Sequence, residues 1–156
     1  MKHYKNLTIF FVSYYSKKTI FKIVKKLDSR IKIIIIDNAN EKGLKDYFEK
    51  KFNNVRVIIS KYNSGQTGGI NEGFRNIKTK YAIYMDSDVN FSSNVIGKFL
   101  DIADLIKDFI ILAPQHERSF YKKEFFSDKS NKFKDFNLMK LVHGQFLFFN
   151  MKNVKK

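Results

Sequence analysis

Asp86 and Asp88 flank Ser87 directly after the run Tyr81-Ala82-Ile83-Tyr84-Met85, so a strand there would deliver two carboxylates at its carboxyl end. With the backbone extended, their Cα atoms lie about 6 to 7 Å apart on one face. Two carboxylates suit a hard divalent cation. Mg²⁺ takes oxygen ligands at about 2.1 Å and commonly uses one or two carboxylates with phosphate and water completing its shell, so the pair could hold a metal diphosphate. Aspartates after strands serve more often as turn formers or helix caps. Asp37 closes the run Ile31 to Ile36 and could accept a hydrogen bond from a ring N–H of a nucleobase; with Asn38 to Asn40 beside it, an Asx turn is the plainer role. Asn63-Ser64-Gly65-Gln66-Thr67-Gly68-Gly69 is a run of turn formers leading into a helix, and its backbone N–H groups could approach an anion closely. It is neither G-x-G-x-x-G after a first strand nor G-x-x-x-x-G-K-[ST], which disfavours a dinucleotide fingerprint and a P-loop. His143, before Gly144, reads as a structural histidine.

The elements that must position these residues are legible as alternating patterns. Leu7 to Ser13 is a short apolar run, and Ile20, Ile23, Val24 and Leu27 then fall on one helical face. Ile31 to Ile36 is a β-branched strand, followed by a helix carrying Leu44, Tyr47, Phe48 and Phe52. Val55 to Ser60 makes a third strand, and after the Gly-rich turn Ile70, Phe74 and Ile77 mark a short helix before the strand Tyr81 to Met85. Val95, Phe99, Ile102 and Ile106 trace a fourth helix, Phe109 to Ala113 a fifth strand, and Leu141 to Asn150 a sixth, with a long loop containing some helix over Gln115 to Met139. Strands buried on both faces read as continuous apolar runs, and alternation with helices requires right-handed crossovers. The expected fold is an α/β domain with an open, mostly parallel twisted sheet and helices on both faces. Ligands in such sheets bind beyond the carboxyl ends of the strands, which selects Ser13–Ser16, Asp37–Asn40, Lys61–Gly69 and Asp86–Asn90.

Composition narrows the class. A chain of 18.5 kDa exposes roughly 8,200 Å² folded against roughly 27,000 Å² unfolded, enough burial for one ordinary core. One domain over residues 1–156 is expected. Zero cysteines exclude a disulfide scaffold, a thiolate metal site and a cysteine nucleophile. The longest apolar runs fall far short of the ~20 residues of a spanning helix, and the apolar stretch after the amino-terminal lysines lacks a small-residue cleavage site, so it reads as a first strand of a cytoplasmic protein. Thirty Lys and Arg against 15 Asp and Glu give a net charge of +15. That excess fits a phosphorylated substrate, a nucleic acid or an anionic lipid surface equally, and it fits a solvated lysine-rich surface as well.

Taken in order, these segments resemble the nucleotide-sugar-binding part of a family 2 glycosyltransferase with the GT-A fold. The matches are Val12-Ser13-Tyr14, where the family tends to have V-[ST]-Y-N; Ile34-Ile35-Ile36-Asp37-Asn38; Asn63-Ser64-Gly65 with Gly69-Ile70-Asn71-Glu72-Gly73; and the D-x-D segment Tyr84-Met85-Asp86-Ser87-Asp88-Val89. The similarity is good over residues 7–100 and weaker beyond, where Gly144 precedes a Phe-rich strand. The resemblance implies an inverting, metal-dependent transfer from a nucleoside-diphosphate sugar to a glycan or lipid-linked acceptor, in surface polysaccharide assembly at the inner face of a membrane, with peripheral contact to anionic lipid and no nucleic acid partner. It further implies that Ser13 and Tyr14 line the base and ribose pocket and Asp37 bonds the base. Asp86 contacts the ribose or a metal-bound water, Asp88 ligates Mg²⁺ or Mn²⁺, and Asn63, Gly65 and Asn71 belong to the donor site.

Two departures stand out. Tyr15 takes the place of the family's usual Asn, and Asn38-Ala39-Asn40 replaces the commoner [NDG]-G-S. The general base that inverting transfer requires lies, in the family, beyond the strand matched by Leu141 to Asn150; no acid occurs in Met151 to Lys156, so the catalytic base is expected outside this chain. A non-catalytic nucleotide- or nucleic-acid-binding module is the main rival, distinguished by the steep salt dependence of phosphate-backbone binding. A sugar nucleotidyltransferase is disfavoured because Ser13-Tyr14-Tyr15-Ser16-Lys17 stands where its Gly-rich, Arg-containing loop belongs.

Overall fold

A computed structural model describes residues 4–92, 94–106, 108–114 and 144–154. After a 3₁₀ turn at Tyr4–Asn6, the chain alternates β1 (Leu7–Ser13), α1 (Lys17–Val24), β2 (Lys32–Asp37), α2 (Leu44–Glu49), β3 (Val55–Ile59), α3 (Gly65–Asn76), β4 (Tyr81–Met85) and α4 (Asn94–Leu105). The described chain then contributes β5 (Ile111–Leu112), β6 (Phe146–Asn150) and the short α5 (Met151–Val154). The sheet order is β3-β2-β1-β4-β6-β5. β1, β2, β3 and β4 run parallel, whereas β6 pairs antiparallel with both β4 and β5. The open, mostly parallel α/β sheet expected from the alternation is therefore present.

Because successive side chains of a strand point to opposite faces, each strand supplies two cores. Leu7, Ile9 and Phe11 of β1, with Ile33 and Ile35 of β2, pack under α1, α2 and α4, which contribute Ile20, Leu44, Phe48, Ile96 and Phe99. Phe10, Ile34, Ile36 and Tyr84 face the other way, against Ile70, Phe74 and Ile77 of α3 and its end. β1, β2 and β4 are buried throughout or nearly so, which is why they read as unbroken apolar runs.

The third helix corrects the sequence reading. The segment 63–69 is not a turn ahead of a short helix: α3 begins at Gly65 and runs 12 residues. Two of its glycines, Gly69 and Gly73, lie against the sheet. A Cβ on Gly69 would come within 2.6 Å of Val12 Cγ1, and one on Gly73 within 2.4 Å of the Phe10 ring. Phe10 cannot retreat, since it is fully buried between Phe74 and Tyr84 at 5.3 and 5.4 Å. β2 and β3 fall within one residue of the expected bounds, whereas β5 spans only Ile111–Leu112 and β6 starts at Phe146. The loop expected over Gln115 to Met139, and His143, lie outside the described residues.

The exposed edge at β3 is closed by side chains. Val57 N–H donates to Glu49 Oε1 at 2.8 Å and Val57 O accepts from Lys45 Nζ at 3.3 Å, while Lys45 and Glu49 pair at 2.6 Å. An occupied edge resists pairing with another strand.

Candidate active site

β1, β2 and β3 build outward to one edge, and the chain then crosses back to β4 on the far side of β1. Connections therefore leave β1 and β4 in opposite directions, opening a crevice beyond their carboxyl ends. Asp86 follows β4 into this crevice. Its backbone N–H donates to Gln145 O at 2.9 Å, and Val89 N–H donates to Asp86 O at 3.3 Å, turning the chain at Ser87 and Asp88.

Asp86 is held from two elements. Tyr84 lies two residues back, on the same face of β4, and its hydroxyl donates to Asp86 Oδ1. Gln66, in the first turn of α3, donates through Nε2 to the Tyr84 hydroxyl at 2.8 Å and to Asp86 Oδ1 at 3.1 Å. Burial, reinforced by the bond to Asp86, raises the Tyr84 phenol well above its ordinary pKa, so it remains a proton donor. Oδ2 of Asp86 takes no hydrogen bond among the described residues, and Asp88 beyond it is exposed.

These carboxylates fit a Mg²⁺- or Mn²⁺-type cation. Among the described residues no three Asp, Glu, His or Cys side chains gather around one point. A pair of carboxylates leaves the remaining positions to phosphate and water, the usual arrangement for such cations on a diphosphate. With one oxygen of Asp86 fixed by Tyr84 and Gln66, its second oxygen is oriented before any ligand arrives.

The other expected residues divide into sealed, open and remote. Ser13 and Asp37 are register partners at the ends of β1 and β2, 0% and 1% exposed. The Asp37 oxygens accept from the N–H groups of Ala39 at 3.1 Å and Glu41 at 2.8 Å, the Asx-type capping role. Ser13 Oγ is buried without a hydrogen-bond partner among the described residues. Tyr14 is 58% exposed at the crevice mouth, in edge-to-face contact with Tyr15. Asn63 Oδ1 accepts from Gly65 N–H at 3.0 Å, fixing the start of α3. Asn71 lines a cleft of about 450 Å³ with Lys61, Tyr62 and Arg75, between α3 and β3. Lys80, beside the amino end of β4 and over the Tyr81 ring at 4.8 Å, is about 20 Å of strand away from Asp86.

Sequence reading missed Gln66 and Asn38. Asn38 Nδ2 donates to Gly65 O at 2.7 Å and its Oδ1 accepts from Ser64 Oγ at 3.3 Å, tying the end of β2 to the start of α3. Tyr84 carried a usable signal: a polar-tipped residue two positions before an aspartate at a strand end shares its face.

This six-stranded, mostly parallel sheet with its crossover from β3 to β4 is the architecture of GT-A glycosyltransferases, and solved structures agree in fold. The mannosyltransferase PcManGT from Pyrobaculum calidifontis, in complex with GDP-Man and Mn²⁺, superposes with a TM-score of 0.70 at 11% identity over 93% of this chain and 44% of its own. S. aureus TarS 1-349, in complex with UDP-GlcNAc, gives 0.69 at 13% identity over 96% and 46%. The dolichyl-phosphate beta-glucosyltransferase of Saccharomyces cerevisiae is 27% identical over 90 residues, covering 53% of this chain and 27% of the yeast enzyme. The glycosyl transferase family 2 model matches residues 9–155, and the chain belongs to that family. It spans less than half the length of each of these relatives.

Proposed function

We propose that this chain binds the donor in a metal-dependent, inverting transfer of sugar from a nucleoside diphosphate to a glycan or lipid-linked acceptor. The observation that carries this is Asp86, clamped through Oδ1 by Tyr84 and Gln66 with Asp88 one turn residue beyond. Asp88 and the second oxygen of Asp86 would hold Mg²⁺ or Mn²⁺, and Asp86 would contact the donor ribose or a metal-bound water. When bound, the cation acts as a Lewis acid that offsets charge building on the departing diphosphate. Tyr14 borders the base and ribose above the sealed strand ends at Ser13 and Asp37, with Asn63 and Gly65 setting the approach of α3. The donor complexes of PcManGT and TarS support a nucleotide sugar as ligand. Thermal melting with UDP-glucose, UDP-GlcNAc and GDP-mannose, each with and without Mn²⁺, tests this. At a hundredfold excess over Kd the right donor should add about 2.7 kcal/mol, roughly 5 to 10 °C for a chain of this size. A melting temperature indifferent to all of them would contradict the reading.

The acceptor side is proposed to lie at the inner, cytoplasmic face of a membrane, in surface glycan assembly. Support comes from the α1–α2 face, where Lys17 and Lys51 sit over the Tyr47 ring at 4.2 and 4.3 Å and Lys25 over Phe21 at 5.7 Å. Each lysine near an anionic leaflet contributes about 1 kcal/mol. Co-sedimentation with phosphatidylglycerol vesicles at low salt is expected; equal recovery with neutral vesicles would refute the contact.

A further inference from the structure

The connection between β1 and α1 is three residues long, Tyr14, Tyr15 and Ser16. It is pinned by Ser16 Oγ donating to Tyr14 O at 3.1 Å and Thr19 Oγ1 donating to Ser16 O at 2.9 Å. To reverse direction in so short a span the chain enters the left-handed region at Tyr15, with φ of 53°. Among the described non-glycine residues only Asn40 shares this feature, at φ 49°. Asparagine tolerates that conformation and a bulky aromatic does not. Strain of this kind persists where something offsets it, and it clusters at ligand sites.

Burial does not offset it here. Tyr15 is 67% exposed, and its ring neighbour Tyr14 is 58% exposed, with centroids 5.0 Å apart and planes at 74°. The two rings form an open corner, two aromatic walls nearly at right angles, at the mouth of the crevice beyond β1. A flat, π-faced group fits that corner, stacked on one ring with its edge against the other. We propose that Tyr15 is a donor-binding residue that, with Tyr14, stacks the nucleobase of the donor whichever base it carries. This rests on the donor-binding reading above and adds a residue at a position where the family carries asparagine. Tyrosine suits the task because its large ring is fixed by only two side-chain torsions.

Titration calorimetry on the chain and its Tyr15→Asn and Tyr15→Phe variants, with Mn²⁺ and either UDP, GDP or inorganic pyrophosphate, tests the corner. Stacking on an aromatic ring is worth about 1–3 kcal/mol per base, so Tyr15→Asn should bind both nucleotides on the order of tenfold more weakly. It should bind pyrophosphate, which has no base, as the parent does. It should melt at or above the parent temperature, because asparagine relaxes the backbone. Tyr15→Phe should restore nucleotide affinity. Undiminished nucleotide binding by Tyr15→Asn overturns the corner and leaves donor binding standing. So does a lowered melting temperature, or pyrophosphate affinity falling in parallel, since either marks a structural role. If the parent binds none of the three ligands, donor reading and corner fall together.

Discussion

Phe148→Ala is expected to lower the unfolding free energy by about 3–5 kcal/mol and the melting temperature by roughly 10 °C. Phe148 is fully buried in β6, between Tyr81 and Phe99 at 5.3 Å each and Phe109 at 5.6 Å. These rings join β4, β6, α4 and the approach to β5 into one layer, so truncation leaves a cavity that several rigid neighbours cannot close. The same strand leads out of Gln145, whose carbonyl holds the Asp86 backbone, so the site should loosen with the core. Urea unfolding measures the loss, and a decrease below about 1 kcal/mol would show that this aromatic layer is not packed as described.

Asp88→Ala is expected to act in the opposite manner, with little change in stability and a large loss of function. Asp88 is exposed, and surface substitutions away from packed features usually fall within about 0.5 kcal/mol. Loss of an outer-shell partner alone lowers metal affinity 10- to 100-fold, so removing one of the two proposed carboxylate ligands should weaken Mn²⁺-dependent nucleotide binding by on the order of 100-fold. Asp86→Asn should come close to this, since the amide retains the shape but not the charge. Calorimetric titration of UDP in saturating Mn²⁺ reads both, and an Asp88→Ala isotherm superimposing on the parent's would contradict the assignment.

Much of this architecture is legible in the residues. Ile33 to Ile36 and Leu7 to Phe11 announce themselves as strands because both faces are buried, leaving no polar alternation to confuse the pattern. The D-x-D position follows from the apolar run before it and the rule that open sheets bind at strand ends. The start of α3 is not legible. Glycine stands about 1 kcal/mol below alanine in helix propensity, so Gly65, Gly68 and Gly69 read as a turn; what favours the helix is the close packing of Gly69 on Val12 and of Gly73 on Phe10, contacts between residues some sixty positions apart. Gln66 is hidden for the same reason, since its bond to Asp86 depends on where the crossover lays α3 across the sheet. In sequence Asp37 suits base recognition and an Asx turn alike, and its bonds to Ala39 and Glu41 supply the turn. The antiparallel run of β6 has no local signature, because side-chain alternation is the same in either direction.

The claim that matters most is that Asp86 and Asp88 grip a diphosphate through a cation. Titrating the chain with UDP and with GDP, once in Mn²⁺ and once in excess EDTA, addresses it in a single measurement. Binding of at least one nucleotide that requires the metal and vanishes with the chelator is the predicted result. Affinity that is unchanged by EDTA but collapses between ~50 and ~200 mM salt would instead mark nonspecific attraction of phosphates to a basic surface, and would contradict the account.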